Sequence, residues 1–223
     1  MFSPWRDHNG TRCRKEERVL KSSSSATPEP GGRVGRRPST SRADLEQHAL
    51  RLFAAHGFDE VTVEDIAAAA GIGRRTFFRY YRSKNDAVWG DFQGELRRMR
   101  EVLAGYPRET PMMDALREAV VDFNRLDAAQ IPWHRLRMRL ILEVPALQAH
   151  STLMYAEWRA VVAEFAADRL GLAPDALLPQ VIAYSCLGAA VAAYEQWLRK
   201  DGSDLAGFLD EALRALGPGF QRA

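Results

Sequence analysis

Between Gly71 and Lys84 the chain places Arg74, Arg75, Arg79, Arg82 and Lys84 among Phe77, Phe78, Tyr80 and Tyr81, with no acidic residue in the run. Guanidinium groups meet phosphate oxygens through a fixed fork of donors, and they meet the acceptor edge of guanine in the same way. Laid on a helix at about 100° per residue, Phe77 and Tyr81 stack at i, i+4. Arg75, Arg79 and Arg82 then gather on the opposite arc, flanked by Thr76 and Phe78. Charge runs are usually solvated faces, but those mix signs, and an acid-free cationic face backed by aromatics suits a polyanion. Residues 1–84 hold 16 basic and 10 acidic residues, whereas residues 85–223 hold 15 and 19. The front of the chain therefore faces nucleic acid and the back does not.

Other chemistry finds little support. His8, His48, His56, His134 and His150 are scattered without ligand spacing, and no Gly-x-Ser-x-Gly motif occurs. Gly71-x-Gly73 lacks the third glycine of a dinucleotide fingerprint and follows a helical pattern instead of a strand. We therefore expect no enzyme and no cofactor. Cys13 and Cys186 make neither a disulfide framework nor a metal motif, which points to the cytoplasm. The longest charge-free apolar run, Val181 to Tyr194, is short of the roughly 18 residues that span a bilayer, and no apolar signal core opens the chain. No membrane partner is expected.

The elements that must position the arginines can be read on either side of them. Thr62 to Ala70 opens with Thr-x-x-Asp, an imperfect capping box because the acid is short, and runs into strong helix formers. Gly71-Ile72-Gly73 supplies the turn to a second helix, the one presented to a DNA major groove. Ahead of them, Ser41 caps a helix to His56 that carries Leu45, Ala49, Leu52 and Phe53 on one stripe and stops at Gly57. Phe58, Val61 and Val63 pack beneath the turn. Residues 1–40 are rich in Ser, Pro, Gly and charge, the composition of a disordered arm. Its basic end, Arg33 to Arg42, either reaches a minor groove or is solvated. An initiation codon assigned upstream of the true start would add the same kind of segment.

From Asp86 to Ala104 one long amphipathic helix is expected, with Val88, Trp89, Phe92, Leu96, Met99 and Leu103 on its stripe, linking the DNA module to the second domain. Further helices read from Pro111 to Ala129, Pro132 to Glu143, Leu147 to Leu170, Pro174 to Arg199 and Leu205 to Leu216. The expected fold is all-α: a disordered basic arm over 1–40, a helix-turn-helix domain over 41–86, and a helical effector-binding and dimerisation domain over 87–223.

The run Phe53-Ala54-Ala55-His56-Gly57-Phe58, through Thr62, Val63, Ile66, Ala67 and Ala70-Gly71-Ile72, to Thr76-Phe77-Phe78, Tyr80-Tyr81 and Ser83-Lys84, resembles the N-terminal domain of the TetR family of transcriptional repressors. The resemblance implies DNA contacts at Thr62, Arg74, Arg75, Thr76, Phe78, Arg79, Tyr80 and Lys84, the last gripping a phosphate. The chain departs from the pattern at Gly73, where a serine N-cap is usual, at Phe78, where a tyrosine offers its hydroxyl, and at Ala87, where a larger aliphatic is common. Trp89-Gly90-Asp91-Phe92, Val144 to Tyr155 and Tyr194 to Leu198 are similar to the subgroup associated with mycofactocin biosynthesis, whose proposed effectors are fatty acyl-CoA thioesters.

In the second domain Trp89, Phe92, Met99, Phe123, Trp133, Tyr155, Trp158 and Tyr184 exceed what a tight bundle needs and permit an apolar cavity. Arg137, with Arg135, Arg139 and His134 close by, is either solvated or holds an anionic head group there. The small-residue helix around Val181 to Tyr194, together with the last helix, is expected to form a four-helix homodimer interface. The expected function is a ligand-responsive repressor bound as a dimer to a near-palindromic double-stranded operator. The competing readings are an activator or architectural DNA-binding protein without effector, and an enzyme or lipid-carrier bundle.

Overall fold

A computed structural model describes residues 40–220, and every regular element in them is an α-helix. The expected arm over residues 1–40 lies outside the described residues apart from Thr40.

Helix α1 runs Arg42–His56, with a capping box between Ser41 and Asp44 and Leu45, Ala49, Leu50 and Phe53 buried on one side. Helix α2, Val63–Ala69, begins with the same device. The short acid proves sufficient, because the extended backbone of Thr62 brings its amide to 2.9 Å from the Asp65 carboxylate. The end of α2 is set by Gly71 at φ 66°. There the Gly71 amide donates to Ala68 at 3.0 Å and the Ile72 amide to Ala67 at 2.9 Å, the paired closure of a Schellman motif. Helix α3, Arg74–Tyr80, follows at once with Phe77 fully buried. Tyr81 leaves the helix in an extended conformation, so Arg82 lies beyond α3 and not on its face as expected.

The single helix expected from Asp86 to Ala104 is two. Helix α4 runs Lys84–Trp89 and α5 runs Phe92–Ala104. Gly90 separates them at φ 66°, a conformation L side chains rarely adopt. The expected boundary between 86 and 87 thus falls inside α4, whose Ala87, Val88 and Trp89 are buried.

The remaining helices are α6 (Met112–Phe123), α7 (Ile131–Glu143), α8 (Pro145–Leu170), α9 (Leu177–Arg199) and α10 (Leu205–Phe220). Helix α6 ends before the expected Ala129 because the Asn124 side chain turns back to the Val120 carbonyl at 2.7 Å. Helix α9 starts at Leu177 and not Pro174. Its Pro179 sits in the first turn, where a missing amide breaks no helical bond. At 23 residues α9 is long and apolar enough to cross a membrane, but it packs between α8 and α10. Helix α10 extends past Leu216 and carries Pro218 inside it. It lies against α6 and α9 with Leu205, Leu209 and Leu213 buried and Phe208, Ala212 and Leu216 partly buried. One continuous core runs from Leu45 to Leu213 through both ends of the molecule.

Lys84 fixes the corner between α1, α2 and α4. Its ammonium donates to the carbonyls of Phe58, Asp59 and Val61 at 2.8, 3.2 and 2.9 Å and stands 4.5 Å from the centre of the Phe58 ring. All three of its protons point inward, away from any phosphate outside. Lys84→Met keeps the aliphatic stem but leaves those carbonyls without a donor. It is expected to cost about 2 kcal/mol of stability in thermal unfolding, and an unchanged melting temperature would mean the ammonium is in water.

Candidate DNA-binding face and effector pocket

Helix α3 presents Arg74, Arg75, Phe78 and Arg79 outward, with Thr76 half-buried beside them. Thr62, at the start of α2, is exposed on the same module. The inward anchor is Phe77, 5.9 Å from Tyr81 and 5.5 Å from Phe78 between ring centres. Arg74 pairs with Glu64 at 2.8 Å, an exposed contact of little strength, and its guanidinium lies over Phe78. Arg75 and Arg79 keep their heads outside, Arg79 stacked against Tyr80.

Two of the expected DNA contacts are placed differently. The Lys84 ammonium is taken up by the three carbonyls of the α1–α2 corner, so its expected grip on a phosphate is not available in this conformation. The Tyr80 hydroxyl donates to the Thr40 carbonyl at 2.9 Å, so it offers no proton to a phosphate. Thr40 in turn donates to the Ala70 carbonyl at 3.2 Å, and Arg42 to the Tyr80 carbonyl at 3.3 Å. The end of the recognition helix is therefore wired to the start of α1.

Between α5, α7, α8 and α9 lies a cavity of about 560 Å³. One wall is aromatic: Trp89 meets Phe92 at 5.0 Å and Tyr155 at 5.6 Å, both edge to face, and Phe92 meets Phe123 at 6.2 Å. Such tilted pairs are the favoured ring geometry. Trp158, Met138, Ile141 and Leu187 extend the apolar lining.

The other wall is a polar chain. Tyr194 donates its hydroxyl proton to Asn124 Oδ1 and lies 2.8 Å from His134 Nε2. With its proton given away, the Tyr194 oxygen accepts, so His134 carries its hydrogen on Nε2. Burial first, and the Arg137 charge second, push the His134 pKa from 6.5 down to about 3, leaving the ring neutral. Arg137 itself donates through Nη2 to Glu46 Oε2 at 2.7 Å, and Glu46 Oε1 accepts from the Tyr81 hydroxyl at 2.9 Å. Among the described residues, the buried Trp89 Nε1, Arg137 Nε and Tyr155 hydroxyl have no hydrogen-bond partner.

Of the residues expected to line a cavity, Trp89, Phe92, Phe123, Arg137, Tyr155 and Trp158 do so together. Three do not. Met99 is buried in the core with Leu96 and Leu103, on the stripe expected for it but away from the cavity lining. Trp133 faces α1, where Arg51 lies 5.3 Å from its ring centre. Tyr184 is 57% exposed under the Arg159 guanidinium on the outer face of α9. Glu46 and Asn124 were missed as site residues. A signal existed for Glu46, which stands at i−4 and i−7 to the buried Leu50 and Phe53 and so places an acid on the core side of α1.

A helix-turn-helix module joined to an all-helical bundle with an internal pocket defines a DNA-binding transcriptional regulator, and the comparisons agree. Residues 47–86 match the model of bacterial regulatory proteins of the tetR family, and residues 110–221 match that of the MftR C-terminal domain. The chain belongs to the TetR family, whose members are transcriptional regulators and not enzymes. It is 47% identical to a candidate mycofactocin biosynthesis transcriptional regulator, MftR, of Mycobacterium tuberculosis, over 85% of this chain and 96% of that protein. The fold is shared with FadR of Thermus thermophilus in complex with lauroyl-CoA, at 20% identity and a TM-score of 0.51, over 81% of this chain and 95% of that one. It is shared also with FadR of Bacillus subtilis in complex with stearoyl-CoA, at 15% identity and a TM-score of 0.56, over 81% and 100%.

The neutral His134 has a consequence for stability. Below pH 6.5 the unfolded chain takes up a proton that the folded wall refuses until about pH 3. This residue therefore removes about 1.4 kcal/mol for each pH unit as the pH falls through that window. His134→Asn is expected to flatten the decline of melting temperature between pH 7 and 5, and parallel curves for variant and parent would show that the ring is not held neutral.

Proposed function

We propose that the protein is a repressor that binds a near-palindromic operator as a homodimer in the cytoplasm and is released when a fatty acyl-CoA enters the cavity. The observation that carries the effector reading is the cavity's two-sided lining, an aromatic and aliphatic wall facing one with an arginine. Its volume falls within the roughly 300–1,000 Å³ usual for ligand sites. Arg98 and Arg125 in its lining are exposed; they pair with Glu95 and Asp122 at the surface, and Arg98 also donates to the Asp122 carbonyl, contacts weak enough to yield to an anionic head group. The acyl-CoA complexes of the two FadR proteins, and the relation to MftR, support the same class of ligand. An architectural protein would have no use for such a cavity.

The dimer interface we place on α9, the helix expected to share it with α10, and on the neighbouring α8. Leu177, Val181 and Tyr184 are exposed along one face of α9, Gly188 and Ala192 continue it with small side chains, and Leu153 is exposed on the adjacent α8. A second copy laid on this face would form a four-helix interface. Two recognition helices would then enter major grooves about one DNA turn apart. On the DNA side, Arg75 and Arg79 are the residues we assign to base edges, with Thr62, Thr76, Arg74 and Phe78 against the backbone.

The test is to recover DNA bound from a genomic pool and titrate it, labelled, by fluorescence anisotropy. Arg75→Ala and Arg79→Ala are each expected to weaken the operator by about 1–3 kcal/mol while changing scrambled duplex much less. Lauroyl-CoA and stearoyl-CoA are expected to release the operator from the parent protein. Undiminished operator binding by the arginine variants would remove α3 from the groove, and indifference to both thioesters would exclude this effector class.

A further inference from the structure

The Glu46 carboxylate is where the DNA-binding module and the pocket meet. It stands on α1, accepts from Tyr81 at the end of α3 and from Arg137 on the pocket wall of α7, and is contacted by Gly90 between α4 and α5. The contact with Gly90 is close. A Cβ there would lie 2.6 Å from Glu46 Oε1 and 2.7 Å from Oε2. A carboxylate tied by two hydrogen bonds cannot move aside without breaking one of them. The side chains are mostly buried, Glu46 15% and Arg137 24% exposed.

Arg137 is only half used. Its Nη2 holds Glu46, while its buried Nε has no partner among the described residues. Arg137 lines the cavity, so an acceptor oxygen there meets its guanidinium. Nε and Nη2 lie on one edge of the planar guanidinium, so an oxygen seated squarely on that edge takes up the Nη2 donor that holds Glu46.

We propose that the Tyr81–Glu46–Arg137 chain is a latch that holds the recognition helix to the pocket wall, and that an oxygen of the effector opens it by competing with Glu46 for Arg137. For its ligand this rests on the acyl-CoA reading, where the oxygen is the thioester carbonyl. With the latch open, Glu46 no longer ties α1, the end of α3 and the Gly90 corner to α7, and the DNA-bound placement of α3 loses its support. Binding of effector and of operator are then antagonistic and reciprocal.

The experiment uses the full chain and the operator recovered with it. Glu46→Gln, Tyr81→Phe and the double variant are compared with the parent, each checked for helical content and melting temperature. Tyr81→Phe keeps the buried ring and loses only the hydroxyl, so it serves even where Glu46→Gln folds poorly. Without ligand, each single variant is expected to bind operator about tenfold more weakly, within the range usual for site-to-site coupling. The double variant is expected to be no weaker than the worse single one, because both break one chain. By calorimetry, Glu46→Gln is expected to bind lauroyl-CoA and stearoyl-CoA about tenfold more tightly, with its ratio of operator affinities, with and without thioester, reduced towards one.

Parental operator affinity in both single variants, whatever their melting temperatures, overturns the latch and leaves Glu46 a packing residue. Additive losses in the double variant overturn it as well. If the parent binds neither thioester, the effector class falls, and the ligand-free operator measurements still decide the latch.

Discussion

One carboxylate constrains more of this molecule than its size suggests. Glu46 needs two donors, since a carboxylate largely removed from water is tolerated only when paired and hydrogen-bonded. It finds them on elements far apart in the chain, the hydroxyl of Tyr81 and the guanidinium of Arg137. Burial first, and then the Glu46 charge, raise the Tyr81 hydroxyl above its ordinary pKa, so it remains a donor throughout the physiological range. The direction of that bond does not change with pH. Removing either partner would leave a charge or a carboxylate oxygen unmatched, an imbalance that in buried pairs amounts to about 3–5 kcal/mol. The position of α1 against α7, the exit of the chain from α3, and the backbone of Gly90 are thus all set by one group.

The helix-turn-helix was legible in the sequence because its signals are local. Ser41 with Asp44, Thr62 with Asp65, and Gly71 after Ala70 each fix a helix end through bonds spanning a few residues. The aromatic anchor Phe77 follows from spacing alone. What lay beyond local reading was the use of ends already assigned. Lys84 reads as an exposed cation at the start of a helix, yet three carbonyls of the α1–α2 corner converge on it. Nothing near Lys84 in sequence announces those carbonyls.

The pocket was partly legible. Periodicity places aromatics on an inward face but does not distinguish a packed interior from a cavity wall, since both exclude water. Met99 failed on that ground, being packed in the core, whereas Trp133 lies beside Arg51 and Tyr184 stands on the exposed outer face of α9. Arg137 was found because a cation near apolar surface needs an explanation, and Glu46 was open to the same argument. Helix α9 carries an exposed apolar stripe as its composition suggested, while α10 buries Leu205, Leu209 and Leu213 in its own chain and leaves Phe208, Ala212 and Leu216 partly open.

The break at Gly90 changes how a signal can cross the molecule. A continuous helix from the DNA module into the bundle would act as a lever, its far end displaced by whatever enters between the helices and its near end following as a rigid rod. Here the rod is interrupted. Helix α4 packs with α1, α7 and α8 and is held at its start by Lys84, whereas α5 packs with α6 and α8. The joint between them has a backbone conformation of its own, so rotation of α5 need not be passed to α4. Communication then falls to side chains that span the joint. Arg42 bridges the Tyr80 carbonyl and Asp91, and Glu46 reaches Arg137. The first tie is an exposed pair, 40% and 56% open to water, and is correspondingly weak. The second is sheltered and ends at the pocket. Of the two, only Glu46 joins a group that an effector can touch to the residue that closes the recognition helix.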